Sequence, residues 1–237
     1  MTNRHLILGG SEGIGYAYAE AMAARGGELT LVARRLEPLQ AAREALLLAG
    51  ASVVSLIPGD VLSKPFRDVL RNQCKQFDSI FVSGPSPQPG GLELIEAEDF
   101  EMHALDACKS CFVYPLEIME WALGVGLAIG GRLIVVSSSA ISSPVTETHF
   151  LLSRLFRSAL HELMPAYQEK FNENKKIVKI WKPKAVLTPL AISFAKKKYF
   201  AELDDNSVLH NLLVVLGVES IPSASYYVEQ ELRELNE

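Results

Sequence analysis

Leu8-Gly9-Gly10-Ser11-Glu12-Gly13-Ile14-Gly15 decides how this chain is read. The stretch follows an apolar, strand-like run, His5-Leu6-Ile7-Leu8, and leads directly into a helical segment, Gly13 to Arg25, with small residues along one side. A strand, a glycine loop and a helix in that order place unpaired N–H groups and the positive end of a helix dipole at the loop. Gly9 permits the tight turn out of the strand, Gly13 lets the backbone approach a pyrophosphate, and Gly15 lets the helix pack close to the sheet. Ser11, Glu12 and Ile14 complete the loop as candidate contacts.

Beyond the loop the chain alternates between short apolar runs and longer segments of helical period. Glu28 to Ala33 reads as a second strand, and Leu36 to Ala49 as a helix with Leu39, Ala42, Leu46 and Ala49 on one stripe. Ser52 to Ile57 reads as a third strand, Phe66 to Lys75 as a helix, and Ser79 to Val82 as a fourth strand. A turn-rich loop, Ser83 to Gly91, precedes a long helix from Asp99 to Leu123. Arg132 to Val136 then reads as a fifth strand, Thr148 to Phe171 as a helix, and Ile177 to Trp181 as a sixth strand. Strands that are apolar throughout, each followed by an amphipathic helix, indicate parallel strands buried on both faces. Right-handed crossovers then give an α/β fold: a doubly wound Rossmann-type parallel sheet of six or seven strands flanked by helices. With no internal repeat and no linker, residues 1–237 read as a single domain.

Composition agrees. The 237 residues are 49% hydrophobic and 22% charged, which excludes disorder and a coiled coil. A net charge of −5 argues against a general nucleic-acid binder. Three cysteines exclude a disulfide scaffold and fit a reducing compartment. With a strand starting almost at Met1 and no membrane-length apolar run, the expectation is a cytoplasmic protein without signal peptide or membrane span.

The spacing G-x-x-x-G-I-G resembles the short-chain dehydrogenase/reductase family, with Leu8 where that family usually has Thr. The likeness continues along most of the chain, which resembles 3-oxoacyl-carrier-protein reductase-like members. Ala33-Arg34-Arg35 follows the second strand as in NADP-dependent members, and Asp60-Val61 stands where the family meets adenine. Ser83 and Gly84 occupy the loop after the fourth strand, where the family usually reads N-N-A-G. Arg132 to Ser139 resembles the strand carrying the family's catalytic serine, and Pro183 to Thr188 resembles its P-G-x-x-x-T segment. The resemblance implies that the glycine loop, Arg34, Arg35, Asp60, Val61, Ser83, Gly84, Pro183 and Thr188, with Arg154, hold the cofactor.

The preference for NADP(H) has a physical argument. NAD-preferring sheets end the second strand with an acid that binds the ribose 2′-hydroxyl. Here Ala33 is followed by two guanidinium groups, whose planar forks suit a 2′-phosphate. Glu12, in the loop where some NADP members carry a base, points the other way.

The family's chemistry uses Ser, Tyr and Lys, with an Asn one helix earlier. Ser138 matches the serine, while Phe150 falls at the Tyr position and Arg154 at the Lys position. Ala107 falls near the Asn. Phe has no exchangeable proton and Arg stays charged, so neither is a general acid. Ser138, or its neighbours Ser137 and Ser139, retains a hydroxyl for a developing oxyanion. His149 is the nearby side chain with a suitable pKa, about 100° around the helix from the Tyr position.

Other signals are less specific. Cys108 and Cys111 lie within a helix and read as packing thiols, with no metal site expected. Lys170, Lys175, Lys176, Lys179, Lys182, Lys184, Lys196, Lys197 and Lys198 read as a solvated face or as a docking face for an acidic carrier protein. Ile221 to Leu235 reads as a helix where the family has its last strand, which leaves the seventh strand open. The helices from Asp99 and Thr148 are apolar around much of their circumference, which predicts a homodimer through them. Two functions follow. One is an NADP(H)-dependent reductase of a carbonyl, such as a 3-oxoacyl thioester or small ketone, with a non-standard proton donor. The other is a catalytically degenerate member that binds a nucleotide or a partner.

Overall fold

A computed structural model describes residues 3–73, 76–84, 98–138, 141, 151–183, 186, 192 and 222–235. Six parallel strands form one sheet: β1 (Arg4–Leu8), β2 (Glu28–Ala33), β3 (Val53–Pro58), β4 (Phe77–Val82), β5 (Leu127–Val136) and β6 (Ile177–Trp181). Their spatial order is β3-β2-β1-β4-β5-β6. The chain winds outward from β1 to β3, crosses back to β4 and winds outward again. That reversal leaves a crevice between the carboxyl ends of β1 and β4, where sheets of this kind bind ligands. Leu6, Ile7, Leu8, Phe81 and Ile134 are fully buried, as strands covered on both faces require.

Helices α1 (Gly13–Ala23) and α2 (Leu36–Leu48) cover one face. Ala17, Ala19 and Ala23 bring α1 close to the sheet, where Tyr18 stacks on Phe81 with ring centroids 4.2 Å apart. The C-terminal helix α7 (Ala224–Glu234) joins this layer: Val228 and Leu232 are buried, and Ser225 donates to Glu20 of α1 at 3.1 Å. Ser223 caps it by accepting from the Tyr226 N–H. The other face carries α3 (Lys64–Gln73), α4 (Phe100–Cys108), α5 (Tyr114–Trp121) and α6 (Leu151–Glu173).

Several expected boundaries move. The long helix from Asp99 is α4 and α5 joined by a π-helical turn at Lys109–Val113, and a second π turn at Ala122–Gly126 leads into β5. Strand β5 starts at Leu127 rather than Arg132, because Phe77 pairs with Leu127 ahead of a register shift. Lys176 does not belong to a solvated lysine face. It is 6% exposed, and its ammonium donates to the carbonyls of Ala122, Leu123 and Gly124 at 3.1, 2.6 and 3.1 Å, capping the second π turn. The question of a seventh strand, with Lys184 and Lys196 to Lys198, falls outside the described residues.

Candidate functional site

At the carboxyl ends of the strands lies a cleft of about 390 Å³. The glycine loop forms one wall. Gly9 has φ +86°, and a Cβ there would sit 1.9 Å from the Ser83 carbonyl oxygen. A Cβ on Gly15 would sit 2.1 Å from the Gly9 carbonyl oxygen. Loop, helix and β4 are therefore interlocked at backbone contact, which no side chain at either position allows. The Gly9 N–H donates to Val32 at 2.8 Å, and the Ser83 N–H donates to Leu8 at 2.8 Å. With the loop held there, the N-terminal turn of α1, whose first N–H groups have no intrahelical acceptor, borders the cleft at Gly13 and Ile14, together with Ser11 and Glu12.

The second wall follows the ends of β2 and β3. Ala33, Arg34, Arg35, Asp60 and Val61 line it. The two arginines differ in surroundings: Arg35 forms an exposed ion pair with Glu12 across the mouth of the cleft, at 2.9 Å. Among the described residues, no hydrogen bond or ion pair engages Arg34. The Asp60 carboxylate accepts from the Leu62 N–H at 3.0 Å, shaping the turn into α3. Behind it, the buried Arg67 donates to the Val61 carbonyl at 2.8 Å and pairs with Glu117 of α5 at 2.8 Å, which also holds the Glu117 carboxyl below its usual range. Arg67 thus fastens the Asp60–Val61 corner to the helix layer.

The third wall comes from β4, β5 and α6. Ser83, Gly84, Val136, Ser137, Arg157 and Pro183 line it. Ser137 lies just beyond β5, its N–H donating to the Trp181 carbonyl at 2.8 Å. Its hydroxyl is 2.9 Å from Nε2 of His161 on α6. Burial, reinforced by the nearby charges of Lys182 and Arg157, lowers the His161 pKa to about 4, so the ring is neutral at neutral pH. Arg157 donates to the Val136 carbonyl at 3.3 Å. It also lies beside Cys111, a buried thiol whose pKa burial raises.

The expected site residues therefore divide. Gly9, Ser11, Glu12, Gly13, Ile14, Arg34, Arg35, Asp60, Val61, Ser83, Gly84 and Pro183 border one cleft, and Gly15 supports it from behind. Arg154 donates to the Ile141 carbonyl at 3.4 Å, while the guanidinium that borders the cleft is that of Arg157, one turn on. The cleft wall beyond β5 is formed by Ser137, the neighbour of Ser138. His149, Phe150 and Thr188 lie outside the described residues. Two residues with no part in the sequence reading, Arg157 and His161, supply the chemistry that α6 offers here. Their signal was the spacing 154, 157, 161, which is one face of a helix. Among the described residues no group of acidic, histidine or cysteine side chains could hold a metal ion.

A family model described as short chain dehydrogenase matches residues 3–82, which include the glycine loop, Arg34-Arg35 and Asp60-Val61. No curated protein matches the chain. Solved structures share the fold across nearly all of it. YwfH, an NADPH-dependent reductase involved in bacilysin biosynthesis, aligns at TM-score 0.83 and 15% identity, over 98% of this chain and 90% of that one. L-sorbose reductase from Gluconobacter frateurii, in complex with NADPH and L-sorbose, aligns at 0.78 and 20%, over 96% and 87%. A variant of actinorhodin polyketide ketoreductase with NADPH aligns at 0.81 and 19%, over 98% and 89%. At these identities the likeness is one of fold.

Proposed function

We propose that this chain belongs to the short-chain dehydrogenase/reductase family, whose model matches its first third, and is an NADP(H)-dependent oxidoreductase that reduces a carbonyl. The observation that carries this reading is the crevice at the sheet's switch point, with the glycine loop at one end and Arg34 at the other. The cleft fits the nucleotide. Glycines sit where a Cβ would strike backbone, the N-terminus of α1 borders the cleft where an anion would bind, and no acid occupies the end of β2. Structural neighbours described as NADPH-dependent, or as complexes with NADPH, support the same choice.

When bound, the nucleotide would supply hydride. This chain's residues would do the rest. The Gly9–Gly15 loop would hold the pyrophosphate, Arg34 would pair the 2′-phosphate, and Asp60 with Val61 would receive the adenine. Ser83, Gly84 and Pro183 would bound the reactive end. A serine hydroxyl at the end of β5, from Ser138 or Ser137, together with Arg157, stabilises negative charge developing on the carbonyl oxygen. The substrate is a small ketone or a 3-oxoacyl thioester, free or carried on an acidic protein that meets the exposed lysines. The free Cys108 and Cys111 fit a reducing, cytoplasmic setting.

Phe150 at the tyrosine position supports a second reading, a nucleotide-binding or partner-binding module without turnover. Measuring NADPH oxidation with a panel of ketones and 3-oxoacyl thioesters separates the two. Turnover that falls in Ser138→Ala and rises in Phe150→Tyr with Arg154→Lys supports the reductase. Tight NADPH binding with no turnover on any substrate supports the module.

A further inference from the structure

We propose that Ser137 and His161 are the proton-delivery pair of the cleft: Ser137 donates its hydroxyl proton to the substrate oxygen, and His161 replaces that proton through Nε2. The proposal rests on the reductase reading above and supplies the acid that Phe150 lacks.

The geometry carries it. Ser137 borders the cleft, and its backbone is fixed by the N–H bond to Trp181. Arg157 holds the carbonyl of the preceding residue, Val136, so the hydroxyl stands on a clamped segment. His161 reaches that hydroxyl at 2.9 Å from the next helix, within the range of direct proton transfer. A hydroxyl alone is a poor acid, because it would be left as an alkoxide. A neutral imidazole removes that obstacle, since one ring nitrogen gives up a proton as the other takes one. Arg157, which also borders the cleft, stays charged; it stabilises the oxyanion but cannot deliver a proton.

The step balances. As the carbonyl carbon accepts hydride from a reduced nicotinamide nucleotide, the C=O π pair moves to oxygen. That oxygen takes the proton from Ser137 Oγ, Oγ takes the proton from His161 Nε2, and His161 Nδ1 takes one from water. The carbonyl gains one hydride and one solvent proton, and the nucleotide is oxidised by two electrons. Ser137 is the catalytic residue, since it touches the substrate; His161 acts through it.

The test uses His161→Gln, which keeps an amide that reaches toward Ser137 but passes no proton. The expected result is a fall of ~10²-fold in kcat for NADPH-dependent carbonyl reduction, with KM and NADPH affinity unchanged. Ser137→Ala should fall by as much, and the double variant no further, because both act on one path. Nitrogen NMR of the protein without nucleotide gives a reading independent of turnover. It should show His161 as the neutral Nε2–H tautomer, with its resonances moved by Ser137→Ala. Wild-type kcat retained in His161→Gln, or an Nδ1–H tautomer, would overturn the pair and leave the reductase reading standing. A wild-type protein that binds NADPH but reduces no carbonyl would overturn both.

Discussion

Arg34 and Arg35 are neighbours in sequence but differ in their surroundings. Arg35 is committed to Glu12 at 2.9 Å, whereas Arg34 lines the cleft with no such partner among the described residues. Charge-assisted bonds to a phosphate contribute about 1.5–3 kcal/mol each, so Arg34→Ala should weaken NADPH binding by tenfold or more and leave NADH unchanged. Fluorescence titration with both nucleotides checks it; equal losses for the two would remove the 2′-phosphate assignment. His5 yields a prediction about pH. It is 5% exposed, with Nδ1 2.6 Å from Ser79 Oγ and Nε2 2.8 Å from Asn3 Oδ1. Burial lowers its pKa from 6.5 to about 4. Between those values the unfolded chain binds more protons than the folded one, so acid favours unfolding. The His5 contribution, on the order of 3 kcal/mol, is complete above 6.5 and gone once the pH has fallen through about 4. His161, partly buried, adds a smaller, solvent-screened share of the same sign. Urea midpoints of wild type and His5→Leu across this range should show a flatter pH dependence in the variant.

Among the elements, α3 and α5 are joined by charge rather than by packing alone. Arg67, 5% exposed, is neutralised by Glu117, which also meets Arg71 at 3.4 Å. Glu117→Ala leaves a buried guanidinium without its carboxylate and should cost roughly 3 kcal/mol, read as a drop in the urea midpoint. The same variant should weaken nucleotide binding, because Arg67 holds the Val61 carbonyl at the edge of the cleft. Lys176 is the corresponding device at the other end of the layer: it closes the π turn before β5 by binding three carbonyls. Lys176→Met keeps the stem and removes the donors, leaving those carbonyls to water or to nothing. A loss of about 1–3 kcal/mol in thermal or urea unfolding is expected. Neither role is written in the residues nearby in sequence. Arg67 reads as one more charge on an amphipathic helix, and Lys176 as one of a run of lysines.

At the scale of the molecule, α4 and α6 pack side by side with apolar side chains left outside: Met102 and Leu155 are 59% exposed, and Leu105 50%. Large apolar side chains left exposed on two packed helices suit an association face. The expectation is a homodimer by sedimentation at micromolar concentration. Leu155→Asp with Leu105→Asp should give a monomer that keeps its NADPH affinity, because neither residue borders the cleft. A monomeric wild type would refute the dimer.

Much of the fold was legible because it is encoded locally. Glu28–Ala33 and Ile177–Trp181 are strands to the residue, since an apolar, β-branched run bounded by turn residues needs no distant partner to be recognised. The glycine loop was legible for the same reason: strand, loop and helix are contiguous, and backbone clearance selects glycine at fixed offsets. The division of α4 from α5 by a π turn was not, because helical period persists through the extra residue. The reactive end was legible only as a list of types. Ser137 and His161 are 24 residues apart, and what joins them is the rotation of α6 against β5. That rotation also sets Arg157 at the cleft and Arg154 on Ile141, although the two differ by less than one turn. Periodicity reports which residues share a face. The docking of one element on another, which depends on every side chain packed between them, decides where that face points.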